Sequence, residues 1–254
     1  MPTAVLATIT AMIMADIMMN DERCHFPPLA LLRLQSWLSP AFPIGSYSYS
    51  HGLEWAVEAG HIHDRKSLVD WLEADLRYGS GRNEAIFFSE AWRCTMDDDR
   101  GKLFVIAELA AAFRSTAELA IESSQQAASC LATLRRVWPD CVLDWLSEVL
   151  GSNRVQPALA VVLGARSASQ NIPVGLALSA FLQSYVANLV TAGVRLIPLG
   201  QTDGQLAIAE LEDVVLAASA QAKKATIDHL GSVGFMVDLA SMAHETQYTR
   251  LFRS

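Results

Sequence analysis

From Leu29 onward the apolar residues recur at helical spacing, and no stretch shows strand alternation joined by hairpin turns. That periodicity confines the chain to helix-on-helix packing. Leu29, Leu32 and Trp37 line a first short helix, which Pro40 and Pro43 stop. A second is predicted over 49–59, with Gly60 as its left-handed cap. Asp64 caps a third, whose stripe Leu68, Trp71, Leu72 and Leu76 keeps to one face. Gly79 and Gly81 punctuate, and Ile86, Phe87 and Trp92 mark a fourth. Further helices are predicted over 103–113, 117–137, 141–150, 157–170, 174–194 and 206–227. Pro139, Pro157 and Pro173 fall at breaks or first-turn positions, where the missing N–H costs little. Val194 to Leu199 is a brief apolar run that also fits a buried strand. The expected fold class is all-α: a single-domain bundle of about ten helices over 28–230. A poorly ordered leader is expected over 1–27 and a flexible, partner-binding tail over 231–254.

The 254 residues are enough for one domain with a substantial core. The composition narrows what covers the surface. It is 52% hydrophobic and 18% charged, against a usual charged share of roughly a quarter. Such a chain either enters a membrane or keeps apolar surface for partners. The best spanning candidate, 172–199, is interrupted by Gln183, Ser184, Asn188, Thr191 and Arg195, each costly in lipid. Partner surfaces are therefore favoured, with no membrane association expected. A net charge of −8 and no basic run longer than Arg135-Arg136 or Lys223-Lys224 exclude a nucleic-acid footprint. Met1 to Ile17 is apolar, but no Lys or Arg precedes Arg23, so the basic region of a signal peptide is missing. Cys24, Cys94, Cys130 and Cys141 lie far apart without CxxC spacing, which implies reduced thiols in a cytoplasmic protein.

Chemistry is sparse. No phosphate-binding loop, HExxH, GxSxG elbow or dinucleotide fingerprint occurs. Asp97-Asp98-Asp99 reads as a solvated turn. His61 and His63, beside Asp64, are the one close histidine pair and the basis of an alternative reading as a metal carrier or metal-dependent hydrolase. Two ligands do not fill a tetrahedral shell, so exposed loop histidines beside a helix cap are the simpler reading. No catalytic residue, metal ligand or bound cofactor is assigned.

Three segments are specific without being catalytic. Ser39 to Glu54 reads SPAFPIGSYSYSHGLE. Its two prolines fix the backbone, Gly45 and Gly52 allow unusual dihedrals, and Ser46, Ser48 and Ser50 can cap the helix that follows. Tyr47 and Tyr49 offer the amphipathic rings that interfaces favour, and with Glu54 they are candidate partner contacts. Arg195 to Gln205 reads RLIPLGQTDGQ, an apolar turn between two helices. His244 to Ser254 reads HETQYTRLFRS. Frayed termini are usually polar, yet this one carries Tyr248, Arg250, Leu251, Phe252 and Arg253, residue types that anchor interfaces. The tail is expected to dock.

Together these segments, in this order, resemble the urease accessory protein F family, and the likeness runs from Leu29 to Ser254. The stretches LVDWL and ALSAFLQSYVANLVTAGV fit as well, whereas 118–127 matches only loosely and the leader has no counterpart. The resemblance implies an all-α homodimer that is not an enzyme. It also implies a bridge between accessory protein D (H in some organisms) and the nickel-carrying GTPase, accessory protein G. That complex acts on apo-urease, and nickel is its cargo. Absence of a phosphate loop agrees with the GTPase chemistry residing in the partner.

Overall fold

The computed structural model describes residues 28–231 and 234–254, which fold as twelve α-helices with no strand among them. The expected leader over 1–27 lies outside the described residues. In chain order the helices begin with α1 (Pro28–Trp37), α2 (Leu53–Glu58), α3 (Arg65–Tyr78) and α4 (Ser80–Met96). The middle of the chain forms α5 (Arg100–Ala112), α6 (Ala117–Val137), α7 (Cys141–Asn153) and α8 (Leu159–Ser169). The last four are α9 (Val174–Leu196), α10 (Gln201–Glu210), α11 (Glu212–Ala222) and α12 (Phe235–His244).

The core is built around α4 and α8, whose residues are buried on nearly every face. Their backbones touch. A Cβ on Gly164 would lie 2.4 Å from the Phe88 carbonyl oxygen, so only glycine permits this approach. Phe88 stacks on Phe181 of α9 with ring centroids 5.1 Å apart. Helices α3, α5, α6, α7, α9 and α11 pack directly on this pair, and α3 does so through the stripe Leu68, Leu72 and Leu76. Helix starts follow local chemistry. Asp64 accepts from Ser67 N–H at 2.8 Å, and Thr116 and Asp140 cap α6 and α7 in the same way.

Helix α9 alone among the described residues is long and apolar enough to cross a bilayer. Here Ser184 donates to the Leu38 carbonyl at 3.0 Å and Tyr185 to Asp75 at 2.7 Å. Three sequence expectations change. Val194 to Leu199 is the last turn and exit of α9, not a strand. The helix predicted over 206–227 is two, because the chain turns at the fully buried Leu211, whose N–H bonds back to Ala207 and Ile208. The segment after Gly231 holds a helix, α12, whose Val237, Ala240 and Ser241 are buried against α2 and α6.

Candidate functional site

The corner between α1 and α2 turns through three successive left-handed positions, Gly45 at φ 74°, His51 at 57° and Gly52 at 80°. The last has a steric reason besides its dihedral. A Cβ there would meet the Ser241 nitrogen at 3.0 Å, so glycine lets α12 lie directly on the corner. A short 3-10 turn, Ser46–Ser48, leaves Tyr47 63% exposed while Tyr49 turns inward and donates to Gln125 Oε1 at 2.6 Å. The N-cap of α2 is Gly52, not one of the serines, although the fully buried Ser50 accepts the Glu54 N–H in the first turn.

The tail returns across this corner. Glu54, on α2, is buried beneath it and accepts the Leu251 N–H at 2.6 Å and the Phe252 N–H at 2.9 Å. Main-chain bonds from Arg253 N–H to Ser48 O (2.8 Å) and from Ser50 N–H to Ser254 O (2.7 Å) continue the seam. His244, with no exposed surface, bridges two carboxylates: Nε2 is 3.1 Å from Glu54 and Nδ1 is 2.7 Å from Glu118. Glu118 also receives Arg250 Nη1 at 2.8 Å. The corner, α6 and α12 are thus sewn together by charge-assisted bonds in a water-poor seam, where such bonds are strongest.

One turn along α6, Glu122 begins a second network. His51 Nδ1 lies 3.3 Å from it, His51 Nε2 lies 2.7 Å from Ser80 Oγ, and Ser254 Oγ donates to it at 2.8 Å. Burial alone would depress the His51 imidazole, but Glu122, with Asp75 and Glu84 behind, carries it above the ordinary histidine value. The Ser80–His51–Glu122 spacing has the outline of a nucleophile, base and orienting acid. The proton bookkeeping opposes that role. Ser80 Oγ donates to Asp75 at 2.8 Å and Ser80 N–H bonds the same oxygen at 2.9 Å, so the hydroxyl proton is directed at Asp75 and not at His51. His51 then serves as a donor to both neighbours. This network lines a cavity of about 510 Å³, whose other wall is apolar, with Trp37, Leu159, Leu163 and Phe181.

Of the residues singled out from sequence, Tyr47, Tyr248 and Leu251 face solvent, Tyr248 completely and Leu251 at 59%. Arg253 is exposed and Arg250 half so, the latter tied to Glu118. Tyr49, Glu54 and Phe252 were expected to contact a partner, and instead they face inward, Phe252 at 4% exposure. The reason is the seam: a carboxylate accepting two successive N–H groups directs Leu251 outward and Phe252 into the core. The tail docks first on its own domain.

His61 and His63 do not converge on a site. Ile62 between them is buried, His61 leans on Trp55 at 5.8 Å, and Asp64 is occupied as a cap. Among the described residues no group of three or more His, Cys, Asp or Glu is placed to hold a metal ion. Burial pushes the Cys94 thiol up to about 11 and that of Cys130 higher still, so both stay protonated. Sequence reasoning missed Glu118, Glu122 and His244. Two carboxylates four residues apart on the inward face of a helix were the available signal.

Residues 62–212 match the family model UreF. A protein of Rhodopseudomonas palustris (strain BisB5), "Urease accessory protein UreF", is 46% identical over 229 residues, which are 89% of this chain and 91% of the relative. Proteins of the same name from Bradyrhizobium diazoefficiens and Granulibacter bethesdensis are 46% and 44% identical over 225 residues, covering 92% and 94% of those relatives. Each of these covers 89% of the present chain.

Proposed function

Because the chain belongs to the UreF family of urease accessory proteins, we propose that it bridges accessory protein D (H in some organisms) and the nickel-carrying GTPase G during urease maturation. It is an accessory protein and not an enzyme. It acts on apo-urease as a homodimer in the cytoplasm, with nickel as the cargo of the pathway. Its influence on the GTPase is differential binding. Favouring one nucleotide state shifts the partner's cycle by no more than the difference in affinity for the two states.

The observation that supports this reading is the tail, fixed by buried bonds yet presenting Tyr248 and Leu251 to solvent. Large apolar side chains held rigidly outward lose little freedom on binding, which is how interface anchors work. Tyr47 lies beside them through Arg195, which stacks on both its ring and that of Phe252.

The test substitutes outward residues only, so that the fold is untouched. Full-length chain carrying Tyr248→Asp and Leu251→Asp is co-purified with accessory protein D, and urease activation is measured in cells. Loss of both is expected. Normal complex formation and activation would remove the tail from the mechanism.

A further inference from the structure

We infer that Glu54 is a positioning residue, which presents the tail to a partner in a preformed pose by capturing two of its main-chain N–H groups. This rests on the reading of the tail as a docking element. Glu54 is buried inside the chain. Its Oε1 accepts from Leu251 and its Oε2 from Phe252, with His244 Nε2 3.1 Å from the same Oε2. The recognised atoms are backbone, so Tyr248 and Leu251, which face outward, are not among the side chains that hold the tail. The captured residues lie 197 and 198 positions away in sequence, which makes this bond set a joint between the corner and the end of the fold. His244 reinforces the joint from below, since its other nitrogen meets Glu118, which also binds Arg250.

The chemistry at position 54 is restrictive. Two N–H groups and an imidazole nitrogen converge on one side chain, which calls for acceptors on both of its oxygens. Glutamine has the same shape, but its amide nitrogen is a donor and would face a donor. A tail released from this clamp has to be ordered during binding, and that cost is subtracted from affinity. Holding it beforehand leaves the outward anchors ready.

The experiment uses the full-length chain, with amide hydrogen exchange on the isolated protein and titration against accessory protein D. For Glu54→Gln the helical content and main melting transition stay near wild type. Exchange at residues 250–254 rises about tenfold or more, as loss of charge-assisted bonds to two amides requires. Affinity for the partner falls by a similar factor, and excess partner restores protection. Tyr248→Ala lowers affinity without changing exchange. Should Glu54→Gln not fold, Leu251→Pro removes one of the captured N–H groups from an exposed position, and the same rise at Phe252 is expected. Unchanged exchange in these variants overturns the clamp. Raised exchange with unchanged affinity, while Tyr248→Ala still binds poorly, overturns the positioning role. If neither variant alters affinity but exchange rises, the clamp stands and the docking reading fails.

Discussion

The guanidinium of Arg195 lies over the ring of Tyr47, its Cζ 3.8 Å from the centroid, and donates to the Tyr47 carbonyl at 2.7 Å. The same Cζ is 4.2 Å from the Phe252 centroid. Three segments that are distant in sequence therefore meet at one cation: the proline- and serine-rich corner, the turn that begins at Arg195, and the tail. Those are the three stretches by which the sequence, read alone, resembles the family. Their specificity reflects one composite seam and not three separate motifs.

Arg195→Lys keeps the charge and loses the planar group that stacks on two rings and reaches a carbonyl. The expected loss is about 1 kcal/mol, in line with a partly exposed cation–π contact plus one hydrogen bond. Urea denaturation measures it. Trypsin should also cut faster after Arg250 and Arg253 once the Phe252 contact weakens. An unchanged midpoint and cleavage rate would show that the stack holds nothing.

Gly164→Ala tests the contact between α4 and α8. The added methyl would sit 2.4 Å from a backbone oxygen, which no rotamer change relieves. A loss of about 2 kcal/mol or more is expected, within the range for overpacked cores. Gly151→Ala, in α7 with nothing within 4 Å, is the control and should stabilise by up to about 1 kcal/mol through helix propensity. Thermal melts of the two variants should move in opposite directions.

Much of this fold was legible because helices announce themselves locally. The stripe on α3 and the caps at Asp64 and Gly60 needed only a few neighbouring residues to interpret, and the structure has them. The break at Leu211 was not legible, since burial of one side chain decided it and no proline or glycine marks it. The site was half legible. Tyr47, Tyr248 and Leu251 stand out by residue type in an exposed setting. Glu54, Phe252 and His244 acquire their roles only from partners more than a hundred residues away. Phe252 looked like an anchor for another protein because sequence cannot say which of two adjacent apolar residues a backbone clamp turns inward.

Asp140 joins a cap to a buried ion pair: it accepts from Val142 N–H at 2.9 Å and receives Arg166 Nη1 at 2.5 Å, with Ser169 Oγ at 2.6 Å. Burial pushes its carboxyl up, yet the bonds from Ser169 and Leu143 and the charge of Arg166 bring it below its ordinary value. A depressed carboxyl stabilises the fold above its unfolded pKa and loses that contribution as pH falls through the folded one. Asp140→Asn strands Arg166 and should cost about 3 kcal/mol at neutral pH. The deficit should narrow in acid, below about pH 4. Denaturant melts across that range would contradict this if the deficit were constant.

His51 has the opposite sign. Desolvation would lower its folded value, but Glu122, Asp75 and Glu84 together carry it above the ordinary 6.5, so folding takes up a proton there. The resulting stabilisation is complete below the unfolded pKa and disappears as pH rises through the folded one. The groups facing the ring are Glu122, Ser80 and Tyr185, with Asp75 and Glu84 behind. His51→Asn is the informative variant, since asparagine tolerates the left-handed backbone at φ 57°. Wild type should exceed it most at about pH 5.5, and the gap should shrink by about pH 8.5, because carboxylates elsewhere titrate alike in both proteins. Glu122→Gln removes the charge that holds the proton and should flatten the difference. If the wild type and His51→Asn curves run parallel over that interval, the buried imidazole does not gain its proton on folding, and the Glu122 contact is a neutral hydrogen bond.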